Sequence, residues 1–216
     1  MQAPLQTQAY QKLVEWINAG KLKPGELYSE LVVSRELNVS RTPIRTALQR
    51  LEADGLVVRL PQRGFYVYQF KKKDVAELFE LRKALEGYAI EFICSNRERI
   101  DLERFTRYME SQRRLIEKST PDRYMKEDFA FHQSLIKTTR NRRMASLYNG
   151  LRQSMEVACL HLIVTKKEDR RKLTEEHEDI VANIVEGNPV AAKEALFKHL
   201  DTAKELLIES IGDSSG

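Results

Sequence analysis

The sequence of 216 residues has only two cysteines, Cys94 and Cys159, and no run of about 20 apolar residues. Two cysteines so far apart exclude a disulfide-stapled scaffold and a thiolate zinc site. Both fall in apolar helical patterns, which predicts buried, inert thiols. The missing apolar run excludes a transmembrane helix, and the N-terminal residues lack the apolar segment of a signal peptide. We therefore expect a cytoplasmic protein.

Glycine and proline are also scarce, with 9 and 6 residues, while 42% of the chain is hydrophobic and 31% is charged. This composition is typical of a folded globular protein, and its length allows one large domain or two modest ones. The net charge is only +4, and its surplus lies at the N-terminal end. Residues 1–70 hold nine Lys and Arg against six Asp and Glu, whereas residues 71–216 hold 27 against 26. Such a surplus is common on solvated surfaces and is weak support for nucleic-acid binding.

Residues 33–58 predict two short helices joined by a tight turn. Asn38 can adopt the left-handed conformation that ends a helix, and Ser40 can then cap a second helix with Pro43 in its first turn. Apolar residues recur at helical spacing in this second helix and leave a polar face that suits the DNA major groove. The candidate DNA contacts in the two helices are Arg35, Arg41, Thr42, Arg45 and Gln49.

A hairpin follows the second helix. Gly55 breaks the helical pattern, residues 56–60 alternate as a strand does, and residues 65–68 return after a turn at Gln62–Gly64. This pattern predicts a two-stranded wing with Arg63 and Gly64 at its tip, both of them candidate DNA contacts. The alternative is an ordinary hairpin loop.

From residue 74 onward the sequence shows only helical periodicity. Six segments are expected to be helical, and they are separated by turn residues: 74–95, 101–118, 121–138, 141–165, 168–187 and 189–211. They predict an all-α bundle of ordinary domain size. We therefore expect a winged helix-turn-helix domain over residues 1–70 and a six-helix bundle over residues 71–216. Residues 71–73, three lysines, are either a linker or a phosphate contact.

Polar residues interrupt the apolar stripes of this bundle. Arg82 and Glu86 fall in the middle of the first stripe, and a buried charge needs a partner or a ligand. A structural ion pair between residues four apart explains this pair as well as an effector site does. As a site, Arg82 would pair with a carboxylate of a ligand and Glu86 would hold Arg82 in place.

Three of the four histidines also point inward, and one shares its face with an aspartate. The set is Asp128, His132, His177 and His199. Imidazole and carboxylate together suit a divalent transition metal such as zinc or nickel, with manganese and iron as further options. The alternative is a group of hydrogen-bonded core histidines. His161 lies at the edge of its helix's apolar side and is left out of the set.

Both halves of the chain resemble known families. The run from Glu30 to Leu48, followed by Gly55-Leu56-Val57, is similar to the winged helix-turn-helix of GntR-type bacterial transcription regulators. Asn38 and Thr46 stand where that family usually has glycine and glutamate, and Leu31 stands where a polar residue or an arginine is common. The order of Arg82/Glu86, Asp128/His132, Asn141, Glu176-His177 and His199 resembles the FCD effector domain of the FadR branch, in its shorter VanR-like variety.

This resemblance implies a ligand-responsive regulator, with a metal bound by the Asp and the three His and a small organic acid beside it. It also implies a homodimer on a DNA operator, acting as a repressor in the bacterial cytoplasm. Two other functions stay open at this stage. Three histidines and a carboxylate also occur in metalloenzymes, although no catalytic motif accompanies them here, so we expect no enzyme. The bundle could also serve only for dimerisation.

Overall fold

The computed structural model describes residues 4–118, 120–159 and 166–213. Within them the chain is mainly helical, with one small antiparallel sheet, so the predicted fold class is confirmed. The helices are α1 (Leu5–Asn18), α2 (Glu30–Glu36), α3 (Arg41–Ala53), α4 (Lys72–Ser95), α5 (Glu103–Lys118), α6 (Pro121–Thr138), α7 (Arg142–Ala158), α8 (Lys167–Glu186) and α9 (Pro189–Asp213). The strands are β1 (Leu27–Tyr28), β2 (Val57–Leu60) and β3 (Gly64–Val67). A 3₁₀ turn covers Arg97–Arg99.

The chain divides into two compact units. The first contains Met1–Phe70 and, from the end of α7, Gln153–Leu160. The second contains Lys71–Arg152 and His161–Gly216. The domain boundary expected at residue 70 stays a prediction.

In the first unit α1 packs along α3 and α2 packs against the start of α3. Their apolar faces meet in one core, because residues four or seven apart on a helix lie on the same side. Leu13, Ile44, Leu48 and Phe65 are completely buried there. The core holds α3 by its apolar side and leaves its polar side exposed.

The sheet of the first unit has three strands in the order β1-β3-β2. The hairpin pairs Val57 with Val67 and Leu60 with Gly64. The predicted two-stranded wing is thus present, and the sequence did not predict the third strand, in which Leu27 pairs with Tyr66 on the other edge of β3. Two residues are too few to produce a visible alternation, which is why the sequence pattern missed β1.

The turn between α2 and α3 agrees with the sequence in its backbone but not in its cap. Asn38 has φ 53°, the left-handed conformation expected of it. Ser40 is the N-cap residue of α3, yet its side chain makes no capping hydrogen bond. In α2, by contrast, Ser29 accepts a hydrogen bond from the Leu31 amide at 3.3 Å.

The second unit is a bundle formed by α4, α5, α6, the first part of α7, α8 and α9. Helix α9 packs along both α4 and α8, and α6 packs against α4 and α5. Aromatic rings fill the interior, with Phe105 and Phe131 meeting edge to face at 6.5 Å. Helix α8 ends at Gly187, whose φ of 76° suits glycine. No described helix is both long and apolar enough to span a membrane.

Candidate metal centre and DNA-reading surface

Three helices bring four metal-ligand side chains to one point inside the bundle. Asp128 and His132 lie one turn apart on α6, His177 lies on α8 and His199 lies on α9. All four are buried, and one potential ligand atom from each lies within 4.8 Å of the others. The inward direction expected from their helical phase is confirmed, and the structure brings the whole predicted set together. Their role as metal ligands stays a prediction. His161 lies outside the described residues.

The three imidazoles face one another through the same nitrogen. The Nε2 atom of His177 lies 3.1 Å from Nε2 of His132 and 2.9 Å from Nε2 of His199, and the remaining pair is 3.2 Å apart. The Asp128 carboxylate lies 3.6 Å from Nε2 of His177 and 4.0 Å from Nε2 of His132. Nitrogens that bind one ion at about 2.1 Å stand about 3.0 to 3.4 Å apart, so this spacing fits a single ion.

The other ring nitrogen of each histidine faces an oxygen. Nδ1 of His132 lies 2.6 Å from a carboxylate oxygen of Glu86, and Nδ1 of His177 lies 2.8 Å from the side-chain oxygen of Gln112. Nδ1 of His199 lies 3.3 Å from a carboxylate oxygen of Glu176. An oxygen acceptor at Nδ1 favours the tautomer with the proton on Nδ1 and the lone pair on Nε2. The lone pair of Nε2 is thus turned toward the centre of the cluster, by a hydrogen bond at Nδ1 in His132 and His177 and by a longer contact outside hydrogen-bond geometry in His199.

Burial disfavours the charged form of two of these rings, His177 and His199. It lowers the pKa of His177 well below its usual value, and the neighbouring His199 and His132 lower that pKa further. Burial also lowers the pKa of His199, while Glu176 raises it in part. The neutral imidazole is the form that binds metal ions. The donor set therefore has the chemistry that a divalent transition metal requires.

Glu86 connects the cluster to two further helices. One of its oxygens accepts hydrogen bonds from Nε of Arg82 and from the hydroxyl of Tyr148, both at 2.8 Å, and the other faces His132. Burial raises the pKa of Glu86, but Arg82 and His132 offset this effect, so the pKa lies below its ordinary value and the carboxyl is ionised. Both predicted effector residues are buried as expected, and Glu86 has both oxygens engaged by the protein.

Arg82 uses only part of its guanidinium in this network. Its Nη2 atom is buried and has no hydrogen-bond partner among the described residues. Burial disfavours the charged form of Arg82, yet Glu86 outweighs burial and the pKa is raised. A charged, buried donor therefore remains available beside the cluster.

Sequence reasoning missed two members of this network. Gln112 is completely buried on α5, in the same stripe as Phe105 and Met109. The test that found the histidines, a polar residue in an apolar stripe, would have found it too. Tyr148 gave no such signal, because a tyrosine is an ordinary core residue.

Four of the seven predicted DNA contacts line one exposed groove of the first unit. Arg41 and Arg45 from the start of α3 and Arg63 and Gly64 from the wing tip contribute to its walls, together with Ser29 and Glu30. Thr42 and Gln49 are exposed on α3, and Arg35 is exposed on α2. Arg45 is not free in this groove, since its Nε donates to the Glu30 carboxylate at 2.9 Å.

Gly64 is required by the sheet itself. Its φ is 119°, and a Cβ atom at this position would lie 2.0 Å from the carbonyl oxygen of Tyr28. The sequence predicts Gly64 as a DNA contact at the wing tip. The contact with β1 is a sufficient structural reason for the glycine.

Two family models match the chain. Residues 5–67 match the bacterial regulatory proteins of the gntR family, and residues 77–202 match the FCD domain. The chain belongs to the GntR family, in the group with an FCD domain. It is a DNA-binding transcription regulator, and its families are regulators rather than enzymes, so the expectation of no enzyme is confirmed.

Similar proteins support this assignment over nearly the whole chain. The transcriptional regulator LutR of Bacillus subtilis is 30% identical over 88% of this chain and 95% of its own length. The gluconate operon transcriptional repressor of B. subtilis is 24% identical over 88% of this chain and 79% of its own. Among solved structures, E. coli McbR/YncC has a TM-score of 0.80 at 20% identity, covering 96% of this chain and 99% of the other, which shows a shared fold.

Proposed function

We propose that this GntR-family protein is a repressor whose bundle senses a small carboxylate through a divalent transition metal. Asp128, His132, His177 and His199 would bind the ion. The convergence of three Nε2 lone pairs carries the proposal. At about 3 Å these lone pairs repel one another in a dry interior unless a cation lies between them. FCD domains often bind metal, and the identity of the ion here, zinc or nickel first, is part of the proposal.

Arg82 supports a carboxylate as the effector. A buried guanidinium nitrogen without a partner is costly, and a ligand carboxylate is the group that suits it best. The bound ion would supply a Lewis-acid docking point for another oxygen of the same ligand. Glu86 holds the guanidinium in place and is itself held by the Tyr148 hydroxyl, so Arg82 would bind the acid and Glu86 would not. A related protein, named as the repressor of a gluconate operon, is consistent with an organic acid in this family.

The DNA-reading role falls to α3 and the wing. We propose that Arg41 and Arg45 contact base edges, with Thr42 and Gln49 beside them on α3, and that Arg35, Arg63 and Gly64 contact the backbone or the adjacent groove. One short helix gives modest affinity, so two chains are expected to bind a nearly palindromic site as a homodimer. A cytoplasmic location agrees with this role and stays a prediction.

The metal proposal is tested by His177→Ala. The purified full-length protein should carry about one divalent ion per chain, measured by mass spectrometry of the metal, and the variant should carry almost none. Thr174→Val is the matched control, because Thr174 is also buried on α8 and hydrogen-bonded to Tyr124 but is not a ligand. It should lose stability and keep its metal. Unchanged metal content in His177→Ala would exclude this site.

The effector proposal needs a second measurement. Small mono- and dicarboxylates should change the affinity of the metal-loaded protein for its operator, and they should not do so for His177→Ala. If acids act equally on both proteins, sensing does not require the metal. If no acid from a broad panel acts on either protein and the dimer persists, the bundle serves only for dimerisation.

A further inference from the structure

The groove that holds Arg41, Arg45 and the wing tip is also lined by the carboxylate of Glu30. Glu30 is the first residue of α2, and its Oε2 accepts a hydrogen bond from Nε of Arg45 at 2.9 Å. Its side chain is only 23% exposed, whereas the Arg45 side chain is 61% exposed. A negative charge in a groove for a polyanion opposes binding, so its position calls for a compensating role.

The geometry of the pair indicates this role. A guanidinium has five N–H donors in a planar fork, and Glu30 engages the donor on Nε. The two terminal nitrogens of Arg45 are therefore left to donate to DNA. Recognition of guanine requires two such N–H donors, one for its O6 acceptor and one for its N7 acceptor. A long arginine side chain otherwise loses rotamer freedom when it binds a base. A carboxylate that orients it beforehand reduces that loss.

The backbone around Glu30 is itself held in place. Ser29 caps α2 through its side chain, and Tyr28 pairs with Phe65 in the sheet. Glu30 therefore projects from a helix end that is hydrogen-bonded on both sides. This arrangement favours a fixed carboxylate over an incidental surface ion pair, which would contribute little.

We propose that Glu30 is a positioning residue that orients Arg45 for bidentate recognition of one guanine in the operator. The inference rests on the proposed role of α3 as the base-reading helix. It gives Glu30 two effects of opposite sign, because its charge weakens binding to any DNA and its hydrogen bond strengthens binding to the correct sequence.

The chain offers a matched control in the same groove. Glu52 also lines the groove and pairs with an arginine. Its carboxylate accepts hydrogen bonds from Nε of Arg59 at 2.8 Å and from the backbone N–H of Arg59 at 3.1 Å. This second contact ties the end of α3 to β2. Arg59 is not among the proposed base contacts, so loss of Glu52 removes the same charge without affecting base recognition.

The experiment uses the full-length protein and an operator selected from random duplexes. Affinities of Glu30→Ala, Glu30→Gln, Arg45→Ala and Glu52→Gln are measured on the selected site, on non-specific DNA, and on sites in which single guanines are replaced by 7-deazaguanine. That base lacks the N7 acceptor, so it reports a bidentate contact. Thermal unfolding checks that every variant is folded.

Glu30→Ala should bind non-specific DNA about twofold or more tightly and should lose about tenfold in discrimination at one guanine. Arg45→Ala should lose discrimination at the same guanine. A variant that combines Glu30→Ala with Arg45→Ala should lose no more discrimination than Arg45→Ala alone. Glu30→Gln should retain most of the discrimination, because its amide oxygen still accepts from Nε. Glu52→Gln should raise non-specific affinity and leave discrimination unchanged.

Two outcomes separate this inference from the function on which it rests. If Arg45→Ala loses discrimination at a guanine and Glu30→Ala does not, Glu30 is not a positioning residue, although α3 still reads DNA. If Arg45→Ala binds every site like the unmodified protein, Arg45 contacts no base, and both its proposed role in base recognition and this inference fail.

Discussion

Glu86 is an acidic side chain beside the histidine cluster that contacts three polar groups at once. It accepts hydrogen bonds from Arg82 and Tyr148 and faces His132, all inside the bundle. Its charge is what offsets the buried charge of Arg82. The stability of the bundle should therefore depend strongly on this one residue.

Glu86→Gln keeps the shape of the side chain and removes its charge. The Arg82 guanidinium is then buried without a counter-ion, and the free energy of unfolding should fall by about 3 to 5 kcal/mol in urea titration. Glu77→Gln is the control, since Glu77 lies on the same helix in an exposed ion pair with Lys73 and should cost less than about 1 kcal/mol. If both variants lost the same free energy of unfolding, the charge of Glu86 would not be what stabilises the buried Arg82 guanidinium.

Tyr148→Phe tests the other donor to Glu86. It removes one hydrogen bond to a charged group and leaves that of Arg82, so the cost should be about 1.5 to 3 kcal/mol, below that of Glu86→Gln. Urea unfolding followed by circular dichroism gives the comparison. A loss larger than that of Glu86→Gln would contradict the dominance of the ion pair.

Single residues were predictable where a helix carries them. The phase of Asp128, His132 and Glu86 in their stripes was enough to place them inside, because the helical period is regular. The contact between Glu30 and Arg45 was not predictable. These residues are 15 positions apart on two helices, and their meeting depends on how α2 packs against α3.

At the level of elements, the wing depends on one close approach between strands. Gly64 lies under the Tyr28 carbonyl, and β1 is too short to be held by many hydrogen bonds of its own. The hairpin was predictable from its alternation and its turn. The third strand was not, because its pairing is specified by this non-local contact.

Gly64→Ala should disrupt this approach. The new methyl group would overlap the Tyr28 carbonyl, and the positive φ adds strain, so the first unit should lose more than about 2 kcal/mol and operator binding should weaken. Gly55→Ala is matched, because Gly55 has φ 72° but no atom within 4 Å of the added Cβ. It should lose only about 1 to 2 kcal/mol. Equal losses would show that backbone strain alone explains the cost.

For the whole molecule, the two units carry separate spectroscopic signals. The single tryptophan, Trp16, lies on α1 and packs against the core of the first unit, whereas most helical residues belong to the bundle. Fluorescence therefore reports mainly on the DNA-reading unit and far-ultraviolet circular dichroism mainly on the bundle.

Removal of the metal should separate these signals. An ion at about 100 times its Kd stabilises the folded state by about 2.7 kcal/mol, so a chelator should lower the midpoint seen by circular dichroism. The midpoint seen by fluorescence should change much less. Added metal should restore the midpoint seen by circular dichroism. A chelator that moves neither midpoint would contradict a bound metal, and one that moves both equally would show that the units unfold together.

The contact between Gly64 and Tyr28 also bears on how such a regulator could be retargeted to new DNA. Tyr28 is followed directly by Ser29, which caps α2, and by Glu30, which holds Arg45 of α3. The wing, the start of α2 and the start of α3 are thus joined in a single chain of contacts. Grafting α3 alone from another protein would break this chain at both ends. We expect that residues 28–67 must be exchanged as one cassette for the new specificity to be transferred intact.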